Sequence, residues 1–303
     1  MSGGERDEIT GTETTGHEWD GIRELNNPLP RWWLWTFYAT VVWGIGYIIL
    51  FPAWPLVSGA TTGVLGWSTR GAVAAQIGAV EAAQTESWTG LLDADLAALR
   101  DDDPDLHRFA VQAGAALFRT NCSQCHGAGA AGAVGYPNLL DDDWLWGGEI
   151  EEIAHTIRHG IRNEEDPETR FSQMPGFGDF LGRDEIRSLV AHVRALPEGV
   201  DPEAGEGGML FADNCASCHG ADARGDRAIG APDLTDAIWL YGSDAETLTR
   251  VIAKGPYGVM PGWGGRLDEA ELRALAAYVH QLGGGEADER QLGAGPALNA
   301  EPG

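Results

Sequence analysis

The sequence predicts an all-α chain: one N-terminal transmembrane helix followed by two tandem small helical units. Three observations predict it. An uncharged run of 20 residues occupies positions 32–51, a sequence repeat fills most of the chain after residue 108, and apolar residues recur at three- and four-residue spacing within each repeat.

Residues 1–30 are polar and acidic and are expected to form a cytoplasmic N-terminal segment, closing in a turn at Pro28 and Pro30. The span is placed at 31–52. Its apolar run, Trp32 to Phe51, would cover about 30 Å as a helix, enough to cross the hydrocarbon of a bilayer. A cleaved leader has a short basic head and a small-residue cleavage site, whereas this run follows a long acidic segment and is followed by Pro52 and Pro55, so it reads as an uncleaved anchor. Trp32, Trp33 and Trp35 at one end and Trp54 at the other suit the aromatic belts of the two interfaces. Arg23 and Arg31 precede the span and no Lys or Arg lies between Pro52 and Thr69, which keeps the N-terminus in the cytoplasm and places the rest outside. Residues 53–108 are expected to be a linker on that outer side, with a weakly amphipathic run from Val64 to Val80.

The repeat defines the remaining boundaries. An offset of 93 pairs Gly114, Leu117, Phe118, Asn121 and Cys122 with Gly207, Leu210, Phe211, Asn214 and Cys215; an offset of 95 pairs Pro137-Asn138-Leu139 with Pro232-Asp233-Leu234, and Gly160 with Gly255. After Met174 the offset is 86, aligning Met174-Pro175-Gly176-Phe177-Gly178 with Met260-Pro261-Gly262-Trp263-Gly264. Changes of offset fall in loops, where length costs little. The units are therefore expected at 109–197 and 207–284, joined by a linker at 198–206 and followed by a disordered tail at 285–303. Ile150, Ile153, Ile157 and Ile186, Leu189, Val190, Val193 mark amphipathic helices, with Asp184 and Asp268 as expected N-caps of the last helix in each unit.

Composition narrows the function. Among 303 residues, 20 basic against 46 acidic side chains leave a net charge of -26, which repels phosphate backbones, excludes nucleic acid as a partner and favours basic ones. All four cysteines sit in two frames, Cys122-Ser-Gln-Cys125-His126 and Cys215-Ala-Ser-Cys218-His219. Two thiols three residues apart lie on adjacent turns, and the next histidine is aimed at the plane they fix. This is the sequence sign of covalent c-type haem attachment. A four-thiolate zinc site sets its pairs roughly 15 to 20 residues apart, far closer than these.

Such a haem takes a second axial ligand. Met174 and Met260 occupy equivalent places in the two repeats, and a soft thioether favours reduced iron and a raised potential. Met1 is the initiator, and Met209 shares a helix with Cys215. His155 and His159 compete for the role but align with Arg250 and Lys254, which assigns both to the surface; His107, His192 and His280 are expected to be partly exposed. Trp144, Trp146, Trp239 and Tyr241 are expected to wall the haem crevices. Units this small bury enough apolar surface only with their cofactor in place.

The stretch Asp20-Gly21-Ile22 with Asn27-Pro28-Leu29-Pro30-Arg31-Trp32-Trp33, followed by two haem-attachment units, resembles the dihaem subunit of cbb3-type cytochrome c oxidases over roughly residues 17 to 283. The resemblance implies two tandem class I cytochrome c domains in the periplasm, anchored in a bacterial inner membrane. It implies two covalently bound haems c, on Cys122 and Cys125 and on Cys215 and Cys218, with axial pairs His126–Met174 and His219–Met260. It implies that the chain takes electrons from a donor cytochrome c and passes them, through a monohaem c-type subunit, to a catalytic oxidase subunit that reduces oxygen and pumps protons; this chain would itself be non-catalytic and touch membrane lipid. Two other readings remain: a free-standing anchored shuttle, which would lack a stable complex, and a dihaem peroxidase, which would need one haem without a methionine. Asp141 to Asp143, Glu149, Glu151, Glu152 and Glu164 to Asp166 form acidic runs suited to steering a basic cytochrome c.

Overall fold

A computed structural model of the chain describes residues 5–287. The chain divides into two compact units, Met1–Ala83 and Gln84–Gly303.

In the first unit, β1 (Thr14–Trp19) and β2 (Ile22–Leu25) form an antiparallel hairpin in which Trp19 faces Ile22. Only a turn at the two prolines was expected here. The reason for the hairpin is Asp20-Gly21, whose φ values of 49° and 82° suit a turn that matches the twist of its strands. Helix α1 (Arg31–Leu50) begins directly after Pro30 and is long and apolar enough to cross a membrane. Stacked rings run along it, with Trp33 and Phe37 at 5.4 Å and Tyr47 and Phe51 at 4.9 Å. A two-residue hairpin, β3 (Pro55–Leu56) with β4 (Gly59–Ala60), follows. Helix α2 (Thr69–Asp93) then runs well beyond the short stretch expected from Val64 to Val80. Its Val73, Ile77 and Val80 are exposed.

After α2, nine further α-helices follow among the described residues: α3 (Leu99–Asp102), α4 (Pro104–Asn121), α5 (Ser123–His126), α6 (Ile150–His159), α7 (Arg183–Ala195), α8 (Gly205–Asn214), α9 (Ala216–His219), α10 (Ala245–Lys254) and α11 (Glu269–His280). Local chemistry sets their ends. Asp103 accepts from Leu106 N–H with Pro104 at the first helical position, and Asp244 accepts from Thr247 N–H. Asp268 caps α11, in a reciprocal box with Glu271. Asp184 does not cap α7: Glu185 Oε2 accepts from Gly182 N–H at 2.7 Å, the helix starts at Arg183, and Asp184 lies in its first turn near the positive end of the dipole.

Packing crosses the sequence repeats. Helix α4 lies on α11, which also touches α6, whereas α8 lies on α7, which also touches α10. Gly114 and Gly207 mark the two crossings. A Cβ on Gly114 would stand 2.1 Å from the Ala274 carbonyl oxygen, and one on Gly207 2.5 Å from the Cβ of His192. One core joins Phe118, Ile153 and Ile157 to Leu272, Leu275 and Val279; the other joins Ile186, Leu189 and Val193 to Phe211, Leu248 and Ile252. Phe118 and Phe211 are 1 % exposed, each contributing about 2–3 kcal/mol by burial.

The first lobe is therefore built from residues 84–161 and 258–287, and the second, residues 171–255, is one continuous insert within it. The stretches 109–197 and 207–284, expected to close separately, contribute helices to both cores. The physical reason is the linker. Only the segment 196–204 separates α7 from α8, and a connection that short makes sequential helices antiparallel neighbours. His192, expected at the surface, is buried at this crossing with Nε2 3.0 Å from the Pro202 carbonyl. The start of the expected tail is ordered too: Glu286 N–H donates to the Gly148 carbonyl and its carboxylate pairs with Arg227 at 2.7 Å. The rest of that tail lies outside the described residues.

Candidate haem sites

Each attachment frame is a single turn. Cys125 and His126 donate their backbone N–H groups to the Cys122 carbonyl at 3.1 and 3.0 Å, and Cys218 and His219 donate to that of Cys215 at 3.1 and 2.9 Å. All four thiols are free; Cys122 and Cys215 are half-buried, Cys125 and Cys218 exposed. Burial, reinforced by the neighbouring Cys125 and Cys218, pushes the Cys122 and Cys215 thiols up to about 11.

His126 Nδ1 lies 3.2 Å from the Pro137 carbonyl and His219 Nδ1 3.1 Å from that of Pro232. A carbonyl only accepts, so Nδ1 carries the proton and Nε2 is left as the metal-binding atom. Burial lowers the pKa of both rings, more than the carbonyl contact raises it, which favours the neutral imidazole that ligates iron. These carbonyls went unnoticed in the sequence, although the aligned Pro137-Asn138-Leu139 and Pro232-Asp233-Leu234 were the signal.

Cys122, His126, Trp144, Trp146 and Met260 line one cavity in the first lobe, together with Phe118, Leu275 and Val279. Met174 packs instead against the core of the second lobe, with Cys215, Phe177 and Trp239. The resemblance implies pairing within each repeat, whereas in the structure His126 shares its cavity with Met260 and Met174 shares a core with Cys215.

The two loops meet equivalent helix ends. Ile161 and Met260 exchange backbone hydrogen bonds at 2.9 and 3.0 Å, and Trp263 and Gly264 donate to the carbonyls of Ile157 and Arg158. Gly160 and Gly255, with φ of 74° and 69°, end α6 and α10. A Cβ on either would lie 2.3 Å from a methionine carbonyl oxygen, of Met260 for Gly160 and of Met174 for Gly255.

The competing histidines do not enter the cavity. His159 is 13 % exposed, less superficial than expected, and is held between Asp166 at 2.9 Å and Glu168 at 3.2 Å. His155 lies against it with ring centres 4.6 Å apart and planes tilted by 44°, its Nδ1 buried without a partner. Tyr241 is set against Gly135 of the first lobe, between the two lobes. Asp143 does line the cavity, and burial, then Asp236, Asp141 and Asp233, pushes its carboxyl up to about 6. The residues fit a covalent haem: a half-buried thiol with an exposed one a turn away, an imidazole whose Nε2 is uncommitted, a thioether on the same cavity, and walls of Trp, Leu and Ile.

Comparison with known proteins agrees. Residues 11–58 match the N-terminal domain of cytochrome oxidase-cbb3, FixP, and residues 109–193 and 202–279 match cytochrome c oxidase, cbb3-type, subunit III. The chain is 56% identical over 278 residues to the cbb3-type cytochrome c oxidase subunit CcoP of Cereibacter sphaeroides, covering 90% of this chain and 95% of that one. It is 51% identical over 282 residues to the FixP subunit of Sinorhizobium medicae, covering 92% and 97%. With two attachment frames of the same geometry and relatives this similar along nearly their whole length, the chain belongs to the subunit III family of cbb3-type cytochrome c oxidases.

Proposed function

We propose that this electron-transfer subunit carries two haems c in crossed coordination: one on Cys122 and Cys125 between His126 and Met260, the other on Cys215 and Cys218 between His219 and Met174. The observation that carries the proposal is the cavity shared by Cys122, His126 and Met260, mirrored by the core that gathers Cys215 and Met174. Bound there, each haem supplies a one-electron carrier whose sulfur ligand raises its potential. The chain's own groups do the rest: the Pro137 and Pro232 carbonyls orient the imidazoles, Trp144 and Trp146 keep water from one site, and the glycines ending α6 and α10 set the methionine loops.

With two protein ligands offered to each iron, the chain relays electrons and leaves oxygen chemistry to the catalytic subunit. It takes them from a donor cytochrome c and delivers them through a monohaem c-type subunit. Helix α1 anchors it in the bacterial inner membrane, with the N-terminus cytoplasmic and the haem lobes periplasmic, as the distribution of arginines supports. Exposed Asp142, Glu151, Glu164 and Glu165 suit a basic donor, so the electron-transfer rate should fall as salt screens them. A rate indifferent to ionic strength would remove that docking surface.

The pairing is tested in a single-haem protein carrying Cys122→Ser and Cys125→Ser. Adding Met174→His should lower the midpoint potential of the remaining haem, whereas Met260→His should leave it nearly unchanged. The reverse result restores pairing within each repeat.

A further inference from the structure

Both methionine loops converge on one side chain. Arg162 follows the end of α6, with a left-handed φ of 53° that directs it between the lobes. Its Nε donates to the Gly258 carbonyl at 2.5 Å and its Nη1 to the Ser172 carbonyl at 2.9 Å. Gly258 stands two residues before Met260, and Ser172 two residues before Met174. The two carbonyls occupy the same place relative to the two candidate ligands.

The surroundings make this more than a filled hydrogen bond. Arg162 is half-buried, its guanidinium lies 5.7 Å from the centre of the Tyr257 ring, and burial lowers its pKa. At the offset of 95 that aligns Gly160 with Gly255, Tyr257 is the repeat counterpart of Arg162. The pseudo-symmetry of the fold therefore passes through this pair, and one guanidinium serves both sides because its partner position offers a ring. A planar fork holds its acceptors at a fixed separation, which a lysine ammonium cannot do. Charge-assisted bonds are stronger than neutral ones, and the loss of a part-buried donor strands its acceptors.

We propose that Arg162 is a positioning residue shared by the two haem sites, tying the Met174 and Met260 loops together so that sulfur ligation at both irons depends on it. The proposal rests on the crossed-ligand reading above.

The test uses the full-length haem-loaded protein in detergent. Met174→His and Met260→His each remove one sulfur ligand, so each background keeps one far-red sulfur-to-iron absorption band reporting a single haem. Arg162→Gln added to either background is expected to lower the pH at which that band is half lost by at least about one unit, the scale of one charged hydrogen bond. A shift in both backgrounds supports the proposal; a shift in only one, or in neither, overturns it. Should Arg162→Gln fail to accumulate, Arg162→Lys keeps the charge but spans only one carbonyl; a lowered midpoint in at least one background supports the proposal, and no change in either overturns it. A parent chain without any far-red band sinks the methionine reading itself, whereas a band present and unmoved sinks only the role of Arg162.

Discussion

Asp143 shows how one side chain can couple a haem site to pH. It lines the cavity of His126 and Met260, and burial among like charges pushes its carboxyl up from 3.8 to about 6. A folded-state pKa above the unfolded one means that the native protein holds this proton more tightly. The resulting stabilisation is complete below about 3.8 and is lost as pH rises through about 6. Asp143→Asn should therefore raise thermal stability at neutral pH, by about 1 kcal/mol once the partial exposure of the group is allowed for, and the gain should vanish near pH 4. Equal gains at both pH values in a melting series would show that the carboxylate is not the cause. The sequence displayed Asp141, Asp142 and Asp143 as one acidic run and suggested docking for all three. Charge is legible in a sequence; the direction each side chain faces is not, and here Asp142 is exposed while Asp143 turns into the cavity.

At the scale of elements, the decisive contacts are those where a helix end receives a loop. Gly160 and Gly255 lie against methionine carbonyls with no room for a Cβ, and each also has a positive φ that L side chains resist. Gly160→Ala should cost about 2–4 kcal/mol, combining backbone strain with overpacking, and should weaken sulfur ligation at the haem facing Met260 more than at the other. Gly255→Ala should do the converse. Denaturant melts read alongside the far-red band check both, and equal loss at the two haems from either change would contradict the seating of the loops. Apolar spacing predicts α6 and α7, because an amphipathic face is written residue by residue, and the repeat with the Asp268 cap predicts α11. The hairpin of β1 and β2 was overlooked, since the Asp20-Gly21 turn signal was absorbed into the approach to the membrane span. The cap at Asp184 was misplaced because Glu185 reaches back to Gly182 and starts the helix earlier.

For the whole molecule, the repeat marks the equivalent parts of two units but not which copies belong together. Both assignments satisfy the same offsets: α4 finds an equivalent face on α7 or α11, and His126 an equivalent thioether on Met174 or Met260. Chain connectivity breaks the tie, as the short link from α7 to α8 places them side by side and leaves α11 to return to α4. A consequence separates the two topologies without any point substitution. Residues 168–256 contain all of the inserted lobe, with Met174, α7, α8, the second attachment frame and α10. Exported with haem-attachment machinery, that fragment should fold alone, melt cooperatively and show one methionine-ligated haem. Residues 104–197 contain a complete sequence repeat, including His126 and Met174, yet lack α11, whose Leu272, Leu275 and Val279 complete the core around Phe118. With that face bare, several buried apolar side chains worth about 1.5–3 kcal/mol each go unsupported, against a total stability of about 5–15 kcal/mol for a domain. The second fragment should therefore fail to give a sulfur-ligated haem or a cooperative melt. A stable, methionine-ligated protein from residues 104–197 would mean that each repeat closes on itself after all.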